Sequence, residues 1–183
     1  MTDDGAPREN IVLVGFMGSG KSSIGRSIAK KLGFQFVDTD YIIQERSGRS
    51  ISEIFQASGE EAFRVLETRA LESLRHLKRC VVATGGGAVL REENRAILRH
   101  LGFVVCLTAS EEVTLQRVSR NTKRPLLQTE NPRETLRSML ASRQESYATV
   151  AQFTLDTTLL TQPEAADLVV LEARKAFSWH RPE

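Results

Sequence analysis

The chain has little that would tie it to a membrane, a histidine-bound metal or an oxidising compartment. Its apolar runs are short, and none approaches the roughly 20 residues that a membrane-spanning helix requires. Cysteine is scarce. The two present, Cys80 and Cys106, sit in or beside apolar runs ("RCVVAT", "FVVCLT") and read as buried free thiols rather than a disulfide. The three histidines have no ligand spacing to any cysteine or carboxylate, so no histidine-based metal site is expected. Charge of one sign is also missing. A net charge of +2 over 183 residues gives no basis for binding nucleic acid or a membrane surface. The opening "MTDDGAPREN" is polar and acidic, unlike a secretory leader, so a cytoplasmic location is expected. No repeat, low-complexity tract or interdomain linker interrupts the sequence.

What is present fits one domain over residues 1–183, with a core from about 10 to 177. Hydrophobic residues make up 40% and charged residues 26%, as in ordinary globular proteins. Short apolar runs alternate with longer helical patterns. "NIVLVG", "FQFVDTD", "CVVAT", "FVVCLTA" and "FTLDT" read as strands. "KSSIGRSIAKKLG" reads as a helix closed by Gly33, and "SISEIFQASGEEAFRVLETRALESLRHL" as a helical stretch broken near Ser58-Gly59. "REENRAILRHLG" is closed by Gly102, a helix runs from Ser110 to about Arg120, and Pro132 stands at a helix start. "PEAADLVVLEARKAF" ends the pattern. This alternation implies a parallel sheet covered on both faces, hence a three-layer α/β domain.

"GFMGSGKS", Gly15 to Ser22, matches G-x-x-x-x-G-K-[ST] between a strand and a helix, the phosphate-binding P-loop. Its N–H groups, among them those of Gly18, Ser19 and Gly20, would turn inward on an anion, at the positive end of the helix. Lys21 would reach the β- and γ-phosphates, Ser22 would hold Mg²⁺, and Ser23 follows. The chain therefore binds a nucleoside triphosphate. Regulatory GTPases are excluded by the absence of D-x-x-G after a strand and of N-K-x-D, and transporter ATPases by the absence of an "LSGGQ"-like segment. Small nucleotide-dependent kinases remain.

The strand "CVVAT" ends in glycine rather than in the usual aspartate, and the acids stand in "FVDTDYI". Residues two apart on an extended segment share a side, so Asp38 would lie near Mg²⁺ and Asp40 would reach an acceptor hydroxyl. The alternative is a helix N-cap at Asp40 with Asp38 solvated. Arg64, with Glu67 one turn along to hold its fork, and Arg143 either converge on the same cleft or are surface residues. Arg124, before a proline in the polar loop, is expected on a mobile lid of about 120–131. Arg117 and Arg120 are candidates for phosphate or adenine contact. Nineteen arginines against six lysines suit an anionic ligand, or equally reflect coding preference and solvated faces. In "VVATGGGAV", three consecutive glycines imply something packed so close to Gly85, Gly86 and Gly87 that no side chain fits.

Taken together, "GFMGSGKSSIGRSIAKKLG", "FVDTD", "SISEIF", "EEAFRVLE", "ATGGGAV", "RPLL" and the Arg143 to Tyr147 pair resemble the shikimate kinase family in order and spacing, from about Asn10 to Phe177. The resemblance implies a five-stranded parallel sheet of order 2-3-1-4-5 and a substrate-binding helical region over about 41–76. It also implies ATP-dependent phosphorylation of the 3-hydroxyl of shikimate. It places shikimate on Asp40, Arg64, Gly86 and Arg143, phosphate and lid roles on Lys21, Arg117 and Arg124, and metal association on Ser22 and Asp38. On that reading the volume beside Gly85 to Gly87 belongs to the flat substrate ring, which Phe55 and Phe63 would wall unless they are core. The sequence departs from the family at Ser23 and in "DTTLLTQPEAA", a longer, more apolar adenine loop in which Gln162 is the expected contact. A monomer is expected. Alternatives are a kinase for gluconate or a nucleoside monophosphate, or a silent nucleotide-binding module.

Overall fold

A computed structural model describes residues 9–119 and 131–178. Five strands form one sheet: β1 (Ile11–Val14), β2 (Gln35–Asp38), β3 (Cys80–Ala83), β4 (Phe103–Thr108) and β5 (Phe153–Asp156). Their order is β2-β3-β1-β4-β5, and all four pairings are parallel. Seven helices connect them among the described residues: α1 (Lys21–Leu32), α2 (Thr39–Ser47), α3 (Ile51–Glu72), α4 (Glu92–Leu101), α5 (Glu111–Ser119), α6 (Pro132–Val150) and α7 (Gln162–Ala176).

The central strand is apolar throughout because both of its faces are covered. Ile11 and Leu13 pack with Ile24 and Ile28 of α1 and Val169 of α7. Val12 and Val14, pointing the other way, pack with Leu71, Leu98 and Tyr147 of α3, α4 and α6. Helices α1 and α4, which follow the adjacent strands β1 and β3, thus lie on opposite faces. Their loops part at the carboxyl ends of those strands and open a crevice, the usual ligand position in a doubly wound sheet.

Two local findings differ from the sequence expectation. Strand β2 ends at Asp38, not Asp40. Asp38 caps α2 by accepting from the Asp40 N–H at 3.1 Å, so Asp40 lies in a helical first turn. Helix α7 begins at Gln162 because Thr161 and Glu164 form a reciprocal capping box. Gly102 closes α4 as expected, in an extended conformation with φ 165. The break expected near Ser58-Gly59 lies at Gly59, with φ 77 and ψ 178 inside α3. The expected lid, with Arg120 and Arg124, lies outside the described residues apart from Asn131, which caps α6.

Candidate active site

The P-loop wraps between β1 and α1, with positive φ at Gly15, Gly18 and Gly20. Gly20 precedes α1 without any side-chain cap, which leaves the helix's first N–H groups and its positive end to an anion. Lys21, 8% exposed, donates from Nζ to the carbonyls of Gly15 at 2.7 Å and Phe16 at 2.8 Å. A buried ammonium requires such acceptors. One residue on, the Ser22 hydroxyl donates to Oδ2 of Asp38 at 2.8 Å. Two hard oxygen donors therefore meet where α1 and the cap of α2 converge.

Two residues, Arg117 on α5 and Thr157 just after β5, brace the loop. Arg117 Nη1 donates to the Gly18 carbonyl at 3.2 Å, and Nη2 to the Thr157 carbonyl at 3.3 Å. Thr157, 1% exposed, has its hydroxyl 3.3 Å from the Ser19 carbonyl and 2.9 Å from that of Thr108. A cavity of about 480 Å³ opens in front. Gly18, Gly20, Lys21, Ser22, Ser23, Asp38, Asp40, Gly86, Arg117 and Gln162 all line it. Gln162 also donates from Nε2 to the Ser23 carbonyl at 2.7 Å, tying the start of α7 to α1.

Next to Asp40 lies a buried charge cluster. Arg64 donates from Nη1 to Glu67 at 2.9 Å and from Nη2 to Glu60 at 2.8 Å. Burial works against the Arg64 charge, but the two carboxylates outweigh it and raise its pKa. Glu67 has no exposed surface. Burial pushes its carboxyl upward, Arg64 pulls it back, and the neighbouring Asp40 charge adds to the rise. Arg143 reaches the same turn from α6, its Nη1 3.4 Å from the Gly86 carbonyl and its guanidinium over the Phe16 ring.

The three glycines sit at the centre of this arrangement. None has a left-handed φ, so the requirement is space. A Cβ on Gly85 would lie 2.7 Å from Oε1 of Glu67 and 2.8 Å from Oδ1 of Asp40, and one on Gly87 would run into the Arg64 guanidinium. One on Gly86 would meet the Met17 nitrogen of the P-loop at 3.3 Å. The volume assigned from the sequence to a substrate ring is therefore held, at Gly85 and Gly87, by the protein's own charged side chains. Gly86 alone of the three lines the cavity.

A family model described as shikimate kinase matches residues 17–174. The chain belongs to the shikimate kinase family. It is 48% identical over 164 residues to a shikimate kinase of Thermodesulfovibrio yellowstonii, covering 90% of this chain and 94% of the relative. To that of Geobacter metallireducens it is 49% identical over 149 residues, covering 81% and 83%. The solved structure of shikimate kinase from Acinetobacter baumannii in complex with shikimate superposes with a TM-score of 0.87 at 39% identity, covering 98% and 97% of the two chains.

The sequence reading put Lys21, Asp38, Asp40, Gly86, Arg64 and Arg143 on one cleft; the first four line the cavity, whereas Arg64 and Arg143 lie beside it. Phe63 is core, and Phe55 packs on it with ring centroids 4.7 Å apart; neither lines the cavity. Sequence reasoning missed Glu60, Thr157 and the contact of Tyr147. Glu60 had a legible signal, its spacing of four residues before Arg64. Thr157 had none beyond its place just after β5.

Proposed function

We propose that this chain transfers the terminal phosphate of ATP to the 3-hydroxyl of shikimate, giving shikimate 3-phosphate and ADP in the pathway to aromatic amino acids. The observation that carries the reading is the junction at Gly86, where a phosphate-binding loop meets Asp40, Arg64 and Arg143. In such a site Arg64 and Arg143 pair with the substrate carboxylate, for which the guanidinium fork is suited. Asp40, at the cavity wall, orients the acceptor hydroxyl and takes its proton as the new bond forms.

Lys21 moves from the loop carbonyls to the β- and γ-phosphates, and its charge opposes the negative charge spreading over the transferring group. Arg117 flanks the phosphates, and Gln162 stands at the entrance on the adenine side. The donor pair Ser22 and Asp38 fits a hard cation that keeps most of its waters. Mg²⁺ held there would offset charge on the β- and γ-phosphates. Arg124 has its lid role from the family resemblance alone, over phosphates from which water must be kept. We further infer a cytoplasmic monomer; no described helix is long and apolar enough to cross a membrane.

A coupled ADP-release assay with shikimate, gluconate and AMP as acceptors tests the reading. ADP release dependent on shikimate is expected, and release with either other acceptor but not shikimate would overturn it.

A further inference from the structure

Three consecutive glycines form the least constrained backbone a chain can present, yet this turn must hold cavity wall and charge cluster in register. Its hydrogen bonds explain how. Gly85 donates its N–H to the Thr39 hydroxyl at 3.1 Å. The Gly85 carbonyl accepts from the Ala88 N–H at 3.2 Å, and the Gly87 carbonyl from the Leu90 N–H at 3.0 Å. The middle carbonyl, that of Gly86, receives no backbone donor among the described residues. It takes the hydroxyl of Tyr147 instead, at 2.5 Å.

Tyr147 is built to hold that one atom. Its ring lies in the core with Val82, Cys106 and Val150, and the residue is 8% exposed. Burial pushes its phenol well above the ordinary value, so the hydroxyl remains a proton donor through the neutral range. Four residues earlier on the same face of α6, Arg143 Nη1 approaches the same carbonyl at 3.4 Å. Helix α6 thus grips the glycine turn at a single oxygen. Because the peptide is trans, fixing the Gly86 carbonyl also fixes the Gly87 N–H on the opposite side of that peptide plane. The described contacts leave the N–H groups of Gly86 and Gly87 without a protein acceptor.

We propose that Tyr147 is a positioning residue for the acceptor: by locking the Gly86 carbonyl, it presets the glycine turn and the Arg143 guanidinium for the substrate carboxylate. It touches neither substrate nor nucleotide. The inference rests on the shikimate reading above and assigns Tyr147 a part in that site only, leaving the P-loop's nucleotide affinity untouched.

The test is Tyr147→Phe, which keeps ring and volume and removes one hydroxyl. Wild type and variant are compared by steady-state kinetics, titrating shikimate at saturating ATP and ATP at saturating shikimate, with a thermal melt of each. One lost hydrogen bond to a strained-free turn corresponds to a roughly five- to tenfold rise in the KM for shikimate. The KM for ATP is expected to stay within about twofold. An unchanged shikimate KM overturns the proposal. So does an equal rise in both KM values, which would mark a general loss of packing. The wild-type arm separates the two claims, since a wild type inactive on shikimate sinks the acceptor assignment itself.

Discussion

Arg64 donates to Glu67 at 2.9 Å where Glu67 has no exposed surface, and to Glu60 at 2.8 Å where Glu60's side chain is 60% exposed. The two partners therefore have different consequences. Glu67→Ala leaves a buried guanidinium short of its partner, so unfolding free energy should drop by about 3 kcal/mol. The KM for shikimate should rise at least about tenfold. Glu60→Ala removes the solvent-exposed one of the two carboxylates and leaves Arg64 its buried partner, so it should change stability by about 1 kcal/mol at most. Urea unfolding and shikimate titration of both variants check this, and equal effects would contradict it.

Ser22 and Asp38 share a hydrogen bond of 2.8 Å, and their oxygens are the metal donors in the proposed mechanism. Asp38→Asn should lower kcat/KM about 100-fold and shift the Mg²⁺ concentration needed for half-maximal rate upward, so that added Mg²⁺ recovers part of the loss. A variant with reduced rate and an unaltered Mg²⁺ titration would remove Asp38 from the metal's surroundings. Asp38 also caps α2 through the Asp40 N–H, a bond that the Asn side chain can still accept.

Thr157 joins the end of β5 to the P-loop through the Ser19 carbonyl and receives Arg117 at 3.3 Å. Thr157→Val keeps the shape and deletes the hydroxyl. The KM for ATP should rise about three- to tenfold with that for shikimate unchanged, the reverse of the pattern expected at Tyr147.

Local signals carried most of the fold. The strands were legible as apolar runs, Gly33 closes α1 with the left-handed φ of 65 expected of it, and the break at Gly59 follows from one residue type. Errors came where a side chain did two jobs. Asp38 was read as the interior of a strand because its capping bond to Asp40 is invisible in a pattern of alternating residues. The glycine triplet was read correctly as a demand for space. At Gly85 and Gly87 that space adjoins the Glu67, Asp40 and Arg64 side chains, a contact hidden in the sequence because Arg64 and Glu67 arrive from a helix some twenty residues earlier. Tyr147 and Thr157 act through carbonyls 61 and 138 residues away, and no spacing rule links such pairs.

Cys106, 2% exposed, has its thiol raised by burial from 9.0 to about 11, with the Lys21 ammonium opposing. The folded chain keeps this proton while the unfolded chain loses it above 9.0, so the folded state binds more protons in that window. Stability should therefore be level below it and fall as pH rises from 9.0 through about 11. Urea unfolding across this range should show the decline in wild type and a shallower one in Cys106→Ala. Identical slopes would mean that the thiol is not buried as described.

The central claim is that the P-loop and the Asp40, Arg64 and Arg143 cluster serve one phosphoryl transfer. The most direct measurement is ³¹P NMR of the products after incubating the protein with ATP, Mg²⁺ and shikimate. A phosphate monoester on the shikimate 3-hydroxyl, formed in step with ADP, is predicted. ADP accompanied only by inorganic phosphate would contradict the account.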